Sequence, residues 1–128
     1  MPIITVSGIH NPSLDLNGLS KQIKRAVSGV GKLKLTEEQV TVFFPPDMNG
    51  IPHSEEIVVK IEGLFESPER TSAVRKTLAN CVGAVVESFA REHLRHCRLI
   101  EVLVYEFRPA TGFASIELKP EKEETQSD

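Results

Sequence analysis

The chain is poor in cysteine, carries no excess of basic charge and lacks any long apolar run. Cys81 and Cys97 are its two cysteines. The N-terminus lacks the basic, apolar and small-residue pattern of a signal peptide, so these two point to reduced thiols and a cytoplasmic location. A formal charge of −3 leaves no electrostatic footprint for nucleic acid or an acidic membrane surface. No apolar stretch approaches the roughly 18 residues of a membrane span. No segment is of low complexity except the charged C-terminal end.

What is present is an ordinary globular composition. The 128 residues are 40% hydrophobic, enough to bury one core. The expected organisation is a single domain over 1–118 and a tail over 119–128. That tail, KPEKEETQSD, sets two lysines against four acids and has the composition of a solvated, disordered terminus.

Hydrophobic spacing divides the domain into elements. Pro2–Val6, rich in Ile, Val and Thr, reads as a strand. GIHNPSLDLNG follows as a loop, with Asn-Pro and Ser as turn and cap signals. Leu16, Leu19, Ile23, Val27 and Val30 recur at helical spacing, with Lys21, Lys24 and Arg25 opposite, and Gly29-Val30-Gly31 gives the stop. Gln39–Phe44 reads as a second strand ended by Pro45-Pro46, and Asn49-Gly50 as the tight turn of the segment beyond. EIVVKIEG, residues 56–63, is a third strand whose nearly continuous apolar centre places it inside the sheet. Ser67-Pro68-Glu69-Arg70 marks the start of the longest helix, with Ser67 as cap. Its apolar stripe is Val74, Leu78, Cys81, Val82, Val85, Phe89 and Ala90. Arg98–Phe107 is a fourth strand, ended by Pro109.

The fold class is therefore α/β (α+β in some schemes), with two tandem βαβ units. Right-handed crossovers put both helices on one face of a four-stranded sheet. The other face has no cover within the chain, and apolar residues on both faces of EIVVKIEG predict that other subunits bury it.

Pro2 admits two readings. Proline at a strand's first residue is tolerated because its missing N–H is not needed there. If Met1 is removed, as a small second residue favours, Pro2 instead becomes a free secondary amine at the end of a buried strand. Such an amine can act as a base.

Pro2 at the tip of the first of two βαβ units resembles the tautomerase superfamily. Its larger members have this architecture, assemble as trimers and carry a catalytic amino-terminal proline. VVKIEG, leading into the second helix, and CRLIEVLVYEF followed by RPATGF are similar to its 5-carboxymethyl-2-hydroxymuconate isomerase branch. That branch leaves its last strand through His-Pro-x-x-x-Phe, with Arg108 here in the histidine's place and Phe113 in the phenylalanine's. GVGKLKLTEEQVTVFFPPD resembles the macrophage migration inhibitory factor branch, where a Gly-Lys after the first helix gives its lysine to the site. Lys32 occupies that place. The resemblance runs from MPIITV to about Phe113 and is thin between Asn11 and Ser28.

The resemblance implies a cofactor-independent isomerase acting on a small unsaturated or 2-keto carboxylate, with Pro2 as general base. It implies a homotrimer, no metal or organic cofactor, and neither nucleic acid nor membrane as partner. Lys32, Arg70, Glu101 and Phe113 become substrate-binding candidates. Each has a plainer alternative: a lysine complementing a helix dipole, an exposed first-turn arginine, a solvated strand glutamate and a core aromatic. His93, His96 and Cys97 have a spacing that suggests a metal, but flanking Arg91, Arg95 and Arg98 make a solvated helix end the better account.

The sequence also departs from the isomerase branch. TEEQVTV is acidic where an arginine is expected, and in GLFESPER the second arginine's place falls nearest Phe65, with Arg70 a turn further on. Glu62, Glu66 and Glu69 crowd the same region. A non-catalytic assembly or interaction protein on the same fold is thus the second reading. A hydratase or dehalogenase, using Glu101 or His53 to activate water, is the third.

Overall fold

The computed structural model describes residues 1–11, 13–46 and 56–118. The Asn49-Gly50 turn, His53 and the tail 119–128 lie outside the described residues. The elements are β1 (Ile3–Ser7), α1 (Leu16–Ser28), β2 (Thr41–Phe43), β3 (Glu56–Phe65), α2 (Ser72–His93) and β4 (Leu99–Phe107). Short 3-10 turns occupy Gly31–Leu33, Glu37–Gln39 and Pro109–Thr111.

The strands lie in the order β2-β1-β3-β4. Each βαβ unit contributes a parallel pair, β1 with β2 and β3 with β4, and the two units meet through antiparallel β1 and β3. The sheet is therefore mixed. Ile4, Val6, Ile57, Val59 and Ile61 alternate onto one face and are fully or almost fully buried. Leu19, Ile23 and Val27 of α1, with Leu78, Val82, Val86 and Phe89 of α2, pack over them in one core. Each such side chain contributes about 1.5–3 kcal/mol by leaving water. Asp15 caps α1 by accepting from the Gly18 N–H at 2.9 Å.

Three local expectations are corrected. The long helix starts at Ser72 and not at Pro68, because Thr71 is the residue whose hydroxyl accepts from the Val74 N–H, at 3.3 Å. Ser67 instead closes a turn, its carbonyl accepting from the Arg70 N–H at 3.0 Å. The second strand is shorter than Gln39–Phe44, since Gln39 closes a 3-10 turn onto Thr36 through both backbone and side chain. On the uncovered face, β3 offers Glu56, Val58, Lys60 and Glu62, so only one of its positions there is apolar. The apolar content of that face comes from the neighbouring strands, as exposed Ile3, Phe43, Leu99, Leu103 and Tyr105.

Candidate functional site

Parallel and antiparallel pairing together bring the beginnings of β1 and β2 to the same end of the sheet as the finishes of β3 and β4. Pro2 stands at that end and is buried, whereas Met1 before it is 66% exposed. The Pro2 carbonyl accepts from the Thr41 N–H at 3.2 Å, which fixes the start of β1 against β2. On the other side lies β3. Its pairing with β4 slips between Ile61 and Leu64, and Gly63 sits in that bulge with φ +75°. A Cβ on Gly63 would lie 2.8 Å from the Met1 carbonyl oxygen. Only glycine lets the backbone before Pro2 pass so close to β3.

Arg70 ties the loops around this end together. Its Nη1 donates to the Phe65 carbonyl at 2.8 Å and its Nη2 to the Leu33 carbonyl at 2.9 Å. One guanidinium thus joins the end of β3 to the 3-10 turn that carries Lys32. Lys32 is exposed and lies beyond the last turn of α1, whose basic residue there is Arg25. Gly31, Lys32, Lys34 and Glu69 line a shallow depression, in which Lys34 pairs with Glu69 at 3.0 Å. No carboxylate partner holds Lys32 among the described residues.

Past β4 the chain folds back, so that Phe113 packs edge-on to Phe65, with centroids 4.9 Å apart. Phe107 completes the group, 5.9 Å from Phe65 and 6.1 Å from Phe113. The Arg108–Glu66 pair, at 3.1 Å, joins the ends of the same two strands. Glu66 therefore already faces a cation.

Pro2, Lys32, Arg70 and Phe113 thus share one end of the sheet. Glu101 does not. It pairs in register with Val58, which is opposite Ser7, about 16 Å along the strands from the level of Pro2. His93 packs against the Phe89 ring at 4.7 Å, and no group of three metal-binding side chains exists among the described residues. A concavity of about 900 Å³ between α2 and β4 is lined by none of the predicted site residues. No helix among the described residues is long and apolar enough to cross a membrane.

No family model matches the sequence, and no curated protein matches it. Solved structures do. The chain superposes on 5-carboxymethyl-2-hydroxymuconate delta-isomerase with a TM-score of 0.65 at 12% identity, over 93% of this chain and 89% of that one. The fold is tautomerase-like. A member of the cis-3-chloroacrylic acid dehalogenase family aligns with a TM-score of 0.60 at 16% identity, over 97% of this chain and 89% of that one. A fused 4-OT, solved as a wild-type asymmetric trimer, aligns with a TM-score of 0.61 at 12% identity, covering 88% and 91%.

Three features of this end escaped the sequence reading. These are the Gly63 bulge, the Phe65–Phe107–Phe113 cluster and the two-carbonyl grip of Arg70. Only the first left a local signal, an isolated glycine inside a strand pattern, which marks a bulge or a close backbone approach.

Proposed function

We propose that the chain is a cofactor-independent tautomerase or double-bond isomerase of a small unsaturated or 2-keto carboxylate. Pro2 is its general base once Met1 has been removed, and the working assembly is a homotrimer. The observation that carries the reading is a buried Pro2, set against a glycine bulge, behind a residue that leads out to solvent.

With Met1 attached, the Pro2 nitrogen is an amide and has no basicity to offer. Freed, it is a secondary amine on a buried residue, and burial disfavours its charged form and pushes its pKa down. Such a base takes the proton from an enol hydroxyl or from the carbon beside a carbonyl. The electron pair moves into the conjugated system, and the proline ammonium returns the proton at another carbon or at oxygen. Charge builds on the substrate oxygens during the first transfer. Lys32 is the cation suited to meet it, because Lys34 is held by Glu69 and Arg70 by two carbonyls. Phe113, with Phe65 and Phe107, offers an apolar wall for the unsaturated part.

The test is Pro2→Ala in a protein lacking Met1, assayed on the enol of a 2-keto acid such as phenylpyruvate. We expect kcat/KM to fall by roughly 10²–10⁴-fold with assembly unchanged. Wild-type-like turnover by the variant would remove Pro2 from the chemistry. In the wild type, kcat/KM should rise with pH through the amine's pKa and then level, because the neutral amine is the active form.

A non-catalytic assembly role has one specific observation in its favour. Glu62, Glu66 and Glu69 line the region, and Arg70 is already engaged with the main chain. Wild-type rates no faster than the uncatalysed enol decay would favour that reading.

A further inference from the structure

Gly63 within β3 and Gly8 just beyond β1 both have a positive φ, and they differ in what they face. Gly8, at φ +112°, lies against the Glu56 carbonyl, so close packing of β1 on β3 accounts for it. Gly63, at φ +75°, lies against Met1 and Pro2. A side chain there would stand 2.8 Å from the Met1 carbonyl oxygen and 3.7 Å from both the Met1 carbonyl carbon and Pro2 Cα. Backbone conformation alone does not demand glycine, since asparagine also tolerates the left-handed region. The close approach does.

The Met1 carbonyl carbon is bonded to the Pro2 nitrogen. It therefore marks the side of the ring from which the N–H and lone pair project once that bond is gone. Met1 is 66% exposed although Pro2 is buried, so the course of Met1 is an open way from the nitrogen to solvent. Gly63 borders that way at its inner end.

We infer that Gly63 keeps the reactive face of the Pro2 nitrogen open, and that its missing side chain decides which molecules reach the amine. The space beside it admits a flat conjugated acid lying against the bulge backbone and rejects one that is branched at the reacting carbon. This rests on Pro2 being the base, but the geometry can be tested without turnover.

Wild type, Gly63→Asn and Gly63→Ala are each prepared in two forms. Met1 is retained by inhibiting methionine aminopeptidase during expression, or removed with that enzyme after purification, and intact mass verifies each form. Asparagine keeps the backbone conformation while adding a Cβ, so it separates crowding from strain. Thermal unfolding should show Gly63→Asn lowering the melting temperature of the Met1-retaining form by several degrees more than that of the Met1-free form. Failure of either variant to fold only with Met1 present is the same result at its limit. An equal loss in both forms, or failure to fold in both, would overturn the inference.

The Met1-free proteins are then treated with a 2-keto-3-alkynoate and, separately, with cyanate. Gly63→Asn should slow labelling of Pro2 by the alkynoate roughly a hundredfold, the scale of a misplaced reactant. Cyanate, small enough to pass the added side chain, should label it nearly as fast as wild type. Alkynoate labelling at the wild-type rate would overturn the inference. A wild type inert to both reagents would end the reading of Pro2 as base, while the melting comparison would still decide whether Gly63 guards that space.

Discussion

Arg70 shows how a charged residue near a site is committed to structure. Its guanidinium gives one nitrogen to the Phe65 carbonyl and another to the Leu33 carbonyl, and its own carbonyl accepts from Arg75 Nη1 at 2.6 Å. Hydrogen bonds from a charged donor contribute about 1.5–3 kcal/mol each. Arg70→Ala should therefore lower unfolding free energy by about 3–6 kcal/mol, read as a lower denaturation midpoint in urea. Arg70→Lys should recover only part of this, because an ammonium cannot span two carbonyls as a planar fork does. A variant of unchanged stability with a raised KM would make Arg70 a substrate ligand instead. None of this was legible in GLFESPER, because one of the two partners, Leu33, is far away in sequence. Pro2 and Lys32 were easier to single out, since a local motif marks each. Glu101 was legible as a strand glutamate, but its distance from Pro2 depends on register, which local sequence does not state.

The elements themselves were written plainly where periodicity is strong. The stripe of α1 and the apolar run of β3 needed no tertiary information, and both elements formed where they were expected. The start of α2 was harder. Ser67-Pro68-Glu69 carries every cap signal, yet the chain there is held by Arg70 and turns helical only after Thr71. Two competing caps make a simple comparison. Thr71→Ala should cost about 1 kcal/mol of stability, as the loss of a working N-cap does. Ser67→Ala should cost less than half of that, because Ser67 supports only a turn. Equal losses in chemical denaturation would place the cap at Ser67 after all. The bulge in β3 belongs to the same scale. The glycine was visible in the sequence, but its neighbour Met1 became visible only once β1 had been set antiparallel to β3.

For the whole molecule, the uncovered sheet face is the feature that calls for partners. Ile3, Phe43, Leu99, Leu103 and Tyr105 are all exposed on it in a single chain. Several large apolar side chains exposed on one sheet face mark an interaction site, and the proposed homotrimer would bury them. Leu103 lies in register with Lys60, so Leu103→Glu would be tolerated in a lone subunit through that lysine. In an assembly the same carboxylate would be desolvated. The variant should sediment as a monomer at concentrations where the wild type forms the proposed trimer, with its far-UV circular dichroism unchanged. A trimer of wild-type stability would move the interface elsewhere.

The most direct test of the account joins these scales at one atom. Intact mass is measured on the purified protein before and after exposure, at neutral pH, to a small carboxylate-bearing electrophile that reacts with amines. The account predicts a chain lacking Met1 and a single adduct that peptide mapping places on Pro2, as a free and largely unprotonated amine requires. A retained Met1, or a Pro2 that never reacts, would contradict it. The proline would then only begin a strand, and the tautomerase fold would serve assembly instead of catalysis.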